Sequence, residues 1–165
     1  MKKLTYLFLA LLIVGCSSDD SSNEDAVNQL FLNIYDGLVW KLNSEFPSDM
    51  ATDKLTFLQD PPSLTVFDDE FCETFIFEVP SPITNEAGVE FGEVTYTIQN
   101  EEQNNIVFLG QVVYNEDLGV DSYTITVTCT VSSSGNTLLN EFFISNQDVQ
   151  QSETYTIAPD EFPCD

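Results

Sequence analysis

Carboxylates are almost the whole chemical repertoire of this chain, which carries 28 Asp and Glu, four Lys, and neither Arg nor His. The missing His removes the commonest general base, and with it the Ser-His and Cys-His nucleophile pairs. Carboxylate, Lys, Tyr or metal chemistry remains. Two segments, Asp68-Asp69-Glu70 and Asn115-Glu116-Asp117-Leu118-Gly119-Val120-Asp121, gather oxygen donors of the kind Ca²⁺ prefers. Neither follows the EF-hand spacing, and both fall between expected strands, where acidic turns arise without a metal. No metal or other cofactor is therefore expected. Two acids at a set separation can hydrolyse a glycosidic bond, but among so many acids some pair meets nearly any distance. A carboxylate-dependent hydrolase is the last-ranked reading. Ser132-Ser133-Ser134-Gly135 reads as a turn, and without a base its serines are poor nucleophiles. Cys129 has no electropositive neighbour to make a thiolate. No catalytic residue is assigned, and a non-enzyme is expected.

The cysteine with the clearest chemistry is Cys16. Lys2 and Lys3 form a positive start, Leu4 to Val14 an apolar stretch, and Gly15 the small residue of a cleavage site, the pattern of an exported protein's leader. The stretch falls short of the roughly 20 apolar residues of a membrane span. Ser17-Ser18-Asp19-Asp20-Ser21-Ser22 follows at once. Ile13-Val14-Gly15-Cys16 resembles the end of a bacterial lipoprotein leader. The resemblance implies removal of residues 1–15 and lipidation of Cys16, with residues 16–25 as an acidic, Ser-rich tether and residues 26–165 as the folded domain.

Without the leader, Lys41 and Lys54 stand alone against the 28 acids, a net charge of −26. Nucleic-acid binding, which needs Lys and Arg to neutralise phosphates, is excluded on that ground. Acidity of this size keeps a protein soluble, repels anionic headgroups and favours cationic partners. With 42% hydrophobic residues, including 13 Phe and 6 Tyr, the chain can still bury one domain's core.

Three cysteines remain for an oxidising compartment. In Tyr123-Thr124-Ile125-Thr126-Val127-Thr128-Cys129-Thr130-Val131, apolar residues alternate with Thr, so Cys129 shares the inward phase. In Phe71 to Val79 the heavier apolar set is Phe71, Phe75, Phe77 and Val79, so Cys72 faces the other way. Cys164 lies in a tail that crosses the outside. A Cys72–Cys164 disulfide with Cys129 as a buried thiol is predicted.

The elements that must position these residues are mostly strands. Val27, Leu30, Phe31 and Ile34 recur at helical spacing in segment 24–37, and Gly37 can close that helix. Period-two alternation between turn signals predicts strands over about 38–45, 54–59, 63–68, 71–79, 89–99, 105–114, 121–131, 137–145 and 152–158. Pro80-Ser81-Pro82 counts among the turns. In strand 89–99 the apolar phase changes after Phe91, which predicts a bulge at Gly92. Eight or nine antiparallel strands make an up-and-down barrel or a sandwich, and the curvature from the bulge favours the barrel.

A short helix leading into Tyr35-Asp36-Gly37-Leu38-Val39-Trp40-Lys41 and then a meander of strands resembles the lipocalin-like domains of Bacteroidota-type lipoproteins, over residues 28 to 158. Gly37 and Trp40 look like that family's opening of the first strand, where the Trp plugs the closed end. The resemblance implies an all-β, up-and-down barrel whose interior either fills with side chains, the reading ranked first, or holds a small apolar ligand, with Phe57, Phe75, Phe77, Phe91, Phe108, Tyr114 and Tyr123 as candidate pocket lining from the inward phase. Asp19 and Asp20 behind Cys16 look like a surface-export signal, and Ser17 like outer-membrane sorting. The expected function is thus a non-catalytic binding or accessory module, lipid-anchored at the outer membrane and surface-exposed, taking a small apolar ligand or a cationic partner. The alternative is a β-sandwich adhesion or scaffold domain binding a protein or glycan.

Overall fold

The computed structural model describes residues 30–48, 51–68, 71–85, 87–115 and 119–164. Residues 1–25, expected to be leader, Cys16 and tether, together with Val27 and the acids Asp69, Glu70, Glu116 and Asp117, lie outside the described residues. One helical turn, α1 (Phe31–Ile34), precedes ten strands. These are β1 (Val39–Leu42), β2 (Lys54–Gln59), β3 (Pro62–Asp68), β4 (Phe71–Ile76), β5 (Ser81–Thr84), β6 (Glu90–Glu101), β7 (Asn105–Tyr114), β8 (Tyr123–Val131), β9 (Thr137–Ile144) and β10 (Val149–Ile157). They form one antiparallel sheet in the order β4-β3-β2-β1-β10-β9-β8-β7-β6-β5.

Every neighbour in space is a neighbour in sequence except β1 and β10. Their pairing, Trp40 with Ile157 and Leu42 with Tyr155, rolls the meander into a barrel. A sandwich would need two sheets, and only one forms. The edges β4 and β5 leave a seam that is nearly closed. There the Glu78 N–H donates to the Tyr96 carbonyl at 2.8 Å, and the rings of Phe75 and Tyr96 meet edge to face at 5.2 Å.

Alternation drives the closure. β7 buries Ile106, Phe108, Gly110 and Val112, and β8 buries Val127, Cys129 and Val131, each set pointing inward at period two. Three sequence expectations need correction. There are ten strands, because Ser81–Thr84 pairs with Glu90 to Val94 of β6; its Pro82 is tolerated because β5 is an edge strand. The bulged residue is Phe91, beside Gly92, and a second bulge falls at Gln99, opposite the step from Phe108 to Val107. In α1 the buried residues are Phe31 and Leu32, while Leu30 and Ile34 are exposed. A single turn of helix presents adjacent residues to the barrel end, so no 3.6-residue stripe is needed.

α1 caps one end of the barrel. The Phe31 ring lies 4.7 Å from Tyr35 and 5.0 Å from Phe57, and the Leu32 N–H donates to Glu101 Oε1 at 2.8 Å. Gly37 turns the chain from this cap into β1 with φ at +68°, a region costly for any residue with a Cβ.

The tail after β10 crosses the outer face of the first strands. Ala158 N–H donates to the Val39 carbonyl at 2.8 Å. Glu161 then takes Lys41 at 2.7 Å and Lys54 at 3.1 Å, and Lys54 also donates to the Phe162 carbonyl. Cys164 ends the strap in a disulfide to Cys72 on β4, with Cα atoms 5.5 Å apart. Hydrogen bonds from Lys41 and Lys54 hold the Glu161 carboxyl below its usual 4.5. A group whose pKa is depressed on folding contributes stability above its unfolded value, lost as pH falls through the folded one. The melting difference between wild type and Glu161→Gln should therefore be present at neutral pH and disappear on acidification below about 4.5. A pH-independent difference would show that the ion pairs do not act.

Candidate ligand site in the barrel interior

A cavity of about 240 Å³ occupies the barrel interior. Its wall comes from the inward positions of seven strands: Leu55 and Phe57 of β2, Leu64 and Val66 of β3, Phe75 of β4, Tyr96 of β6, Phe108 of β7, Ile125 and Val127 of β8, and Phe142 of β9. Polar members are few. Thr52 and Asn140 line one corner together with Cys129, where the Cys129 thiol donates to Asn140 Oδ1 at 3.3 Å. The Thr52 N–H donates to the Tyr155 hydroxyl at 3.3 Å. An apolar wall with a small polar corner is the usual make-up of a small-molecule site.

The strands explain this wall. β6 and β7 are paired so that Tyr96 lies opposite Gly110, and a Cβ added at Gly110 would come within 2.5 Å of Tyr96 Cε1. Glycine there lets the tyrosine ring lie over β7. Burial, followed by the nearby charge of Glu73, pushes the Tyr96 phenol up to about 12, so at neutral pH it is a neutral hydroxyl.

The seven aromatics expected to line one pocket are distributed. Phe57, Phe75 and Phe108 face the cavity. Phe77 is buried with its ring 5.5 Å from Phe108 but is not on the cavity wall. Phe91 stacks on Tyr114 at 6.1 Å, and Tyr114 lies 6.1 Å from Tyr123, so these three gather at the barrel end opposite the α1 cap. Burial first, then the hydrogen bond with Tyr114 and the charges of Tyr114 and Tyr96, raise the Tyr123 phenol to about 12. Reading only the aromatics missed Tyr96 and the aliphatic wall, although Leu55, Leu64, Val66, Ile125 and Val127 carry the same period-two signal. Trp40 is fully buried, with its ring 5.8 Å from Tyr35 beside the α1 cap.

A second, larger cleft of about 770 Å³ lies along the seam. Phe71, Glu73 and Phe75 alternate on the inward face of β4, opposite Ile83 of β5 and Phe91 and Val94 of β6. Phe75 belongs to both walls.

Cys129 faces none of the chemistry a nucleophile needs. It is 1% exposed, and burial pushes its thiol far above the ordinary 9.0. The native protein should leave Cys129 unmodified by an aromatic disulfide reagent at neutral pH, and peptide mapping should find Cys129 labelled only after unfolding. Rapid native labelling would mean that the interior opens.

Among the described residues, no group of three or more Cys, Asp or Glu is placed to hold a metal ion. The chain matches no protein-family model, and no curated protein or solved structure is significantly similar to it.

Proposed function

We propose that this chain is a lipid-anchored, surface-exposed lipoprotein of an outer membrane whose barrel is a non-catalytic binding module for a small apolar ligand. The observation that carries the binding part is the apolar interior cavity. Cavities of about 150 Å³ lined by Leu, Ile and Phe stay dry and take a benzene-sized molecule, and this one is larger, with Thr52 and Asn140 to orient one polar group. The anchoring part rests on Ile13-Val14-Gly15-Cys16 and the acidic tether behind it. Membrane affinity then comes from acyl chains, each buried CH₂ contributing about 0.8 kcal/mol, while the domain's negative charge holds it off anionic headgroups.

One experiment addresses both parts. The full-length protein, expressed with its leader in a Gram-negative host, is extracted gently from membranes and weighed intact under denaturing and native conditions. The expected result is a chain beginning at Cys16 with added acyl mass, and a non-covalent small molecule that leaves on denaturation. Recovery of the unprocessed chain in the soluble fraction would overturn the anchor. A cavity-filling variant, Ile125→Trp, should lose the non-covalent adduct and keep the fold; an adduct equally abundant in the variant would overturn the cavity as its site.

A further inference from the structure

Besides the neutral polar corner of the cavity at Thr52 and Asn140, the seam cleft offers a charged polar position. Three rings and one carboxylate line the same cleft: Phe71, Phe75, Phe91 and Glu73. Phe71 is 74% exposed, an uncommon place for so large an apolar side chain, and it lies on the same face of β4 as Glu73 and Phe75. Aromatic faces beside a carboxylate are the chemistry that recognises an organic ammonium, through the ring quadrupoles and the opposite charge together.

The domain's own cations do not reach this carboxylate. Lys41 and Lys54 both take Glu161 on the outer face, whereas Glu73 alternates inward. Among the described residues no ion pair forms at Glu73, and desolvation raises its carboxyl. Its charge also reaches Tyr96 on the cavity wall, which puts the two sites within electrostatic range. The overall charge disfavours an anion in the barrel: the chain has no Arg or His, and among the described residues the two Lys pair with Glu161 on the outer face.

We propose that the seam cleft binds the ammonium head of an amphiphilic amine, with Glu73 as counter-ion and Phe71, Phe75 and Phe91 as its aromatic cage, while the apolar tail enters the interior cavity as the Phe75 ring swings away from Tyr96. This rests on the cavity being a ligand site. Phe75, shared by the two walls, is where head and tail join. Anionic amphiphiles of the same chain length are rejected, because Glu73 and the acidic surface repel them.

The test titrates the soluble domain, residues 26–165, with three probes of equal chain length below their aggregation limits, decyltrimethylammonium, decanol and decanoate, by calorimetry. Decyltrimethylammonium should bind at least tenfold more tightly than decanoate, and Glu73→Gln should weaken it about five- to tenfold, in keeping with one ring-and-carboxylate contact to a cation. Decanol affinity should stay unchanged in that variant. Phe71→Ala, exposed and outside the core, should weaken only the ammonium probe. If decanol binds and decyltrimethylammonium has no advantage, or Glu73→Gln leaves the ammonium affinity intact, the head site is wrong while the cavity stands. If none of the three binds, both readings fall.

Discussion

Trp40→Ala should destabilise the barrel by about 3–5 kcal/mol, the range for removing a fully buried large aromatic. Trp40 has no exposed surface and lies on a short strand in the interior of the sheet order. β1 has four residues, yet it pairs with β10 on one side and β2 on the other. Among the described residues, its ladder to β10 is the one strand pairing that joins β1–β4 to β5–β10. Leaving a hole at position 40 loosens β1 against both partners and removes the ring against which Tyr35 packs, and Phe31 packs on Tyr35 in turn, so the effect should be global. Trp40→Phe should cost far less. The indole N–H is buried without a hydrogen-bond partner among the described residues, so phenylalanine discards a donor that stabilises nothing while keeping most of the ring volume. Trp40 is the single Trp, so urea unfolding is followed by circular dichroism rather than fluorescence. A midpoint for Trp40→Ala equal to that of Trp40→Phe would show that the barrel end does not depend on this side chain.

The parts of this fold that sequence made legible are those where a local rule and the global fold agree. Segment 121–131 alternates apolar residues with Thr and becomes β8, with Val127, Cys129 and Val131 buried. The same rule, applied to Phe71 to Val79, separated Cys72 from the Phe71, Phe75 and Phe77 face, and the disulfide from Cys72 to the tail follows from that separation. β5 was illegible because its two neighbouring prolines signal a turn, and only the unpaired edge in the assembled sheet makes Pro82 acceptable there. The Gln99 bulge left no trace in the hydrophobic pattern. Membership of the cavity is a property of the closed barrel: Phe77 and Phe75 share a phase, yet only Phe75 borders empty space, because the space depends on what each facing strand supplies. The roles of Lys41 and Lys54 were equally hidden, since Glu161 reaches them across 120 and 107 positions of sequence.

Cys72→Ser/Cys164→Ser should lower stability by about 4–5 kcal/mol, because the bridge closes a long loop and removes that much freedom from the unfolded chain. The two half-cystines are 92 positions apart, and for a domain of this size the loss corresponds to a fall in melting temperature on the order of 10 °C. Both are replaced so that neither leaves a reactive thiol. The native-state consequence is local. β4 is an edge strand whose one ladder is to β3, and the strap through Glu161 and Cys164 fastens its outer face to β1 and β2. Without the bridge the ion pairs to Lys41 and Lys54 remain, but they anchor the tail three and two strands away from β4. Amide exchange should therefore quicken first in Phe71–Ile76, while β7, β8 and β9, paired on both sides, keep their protection. Adding reductant to the wild type should reproduce the variant's melt, and adding it to the variant should change nothing. Equal melting of variant and oxidised wild type would mean that the tail contributes no constraint; uniform loss of protection across all strands would mean that the bridge acts on the unfolded chain alone and leaves the seam as it was.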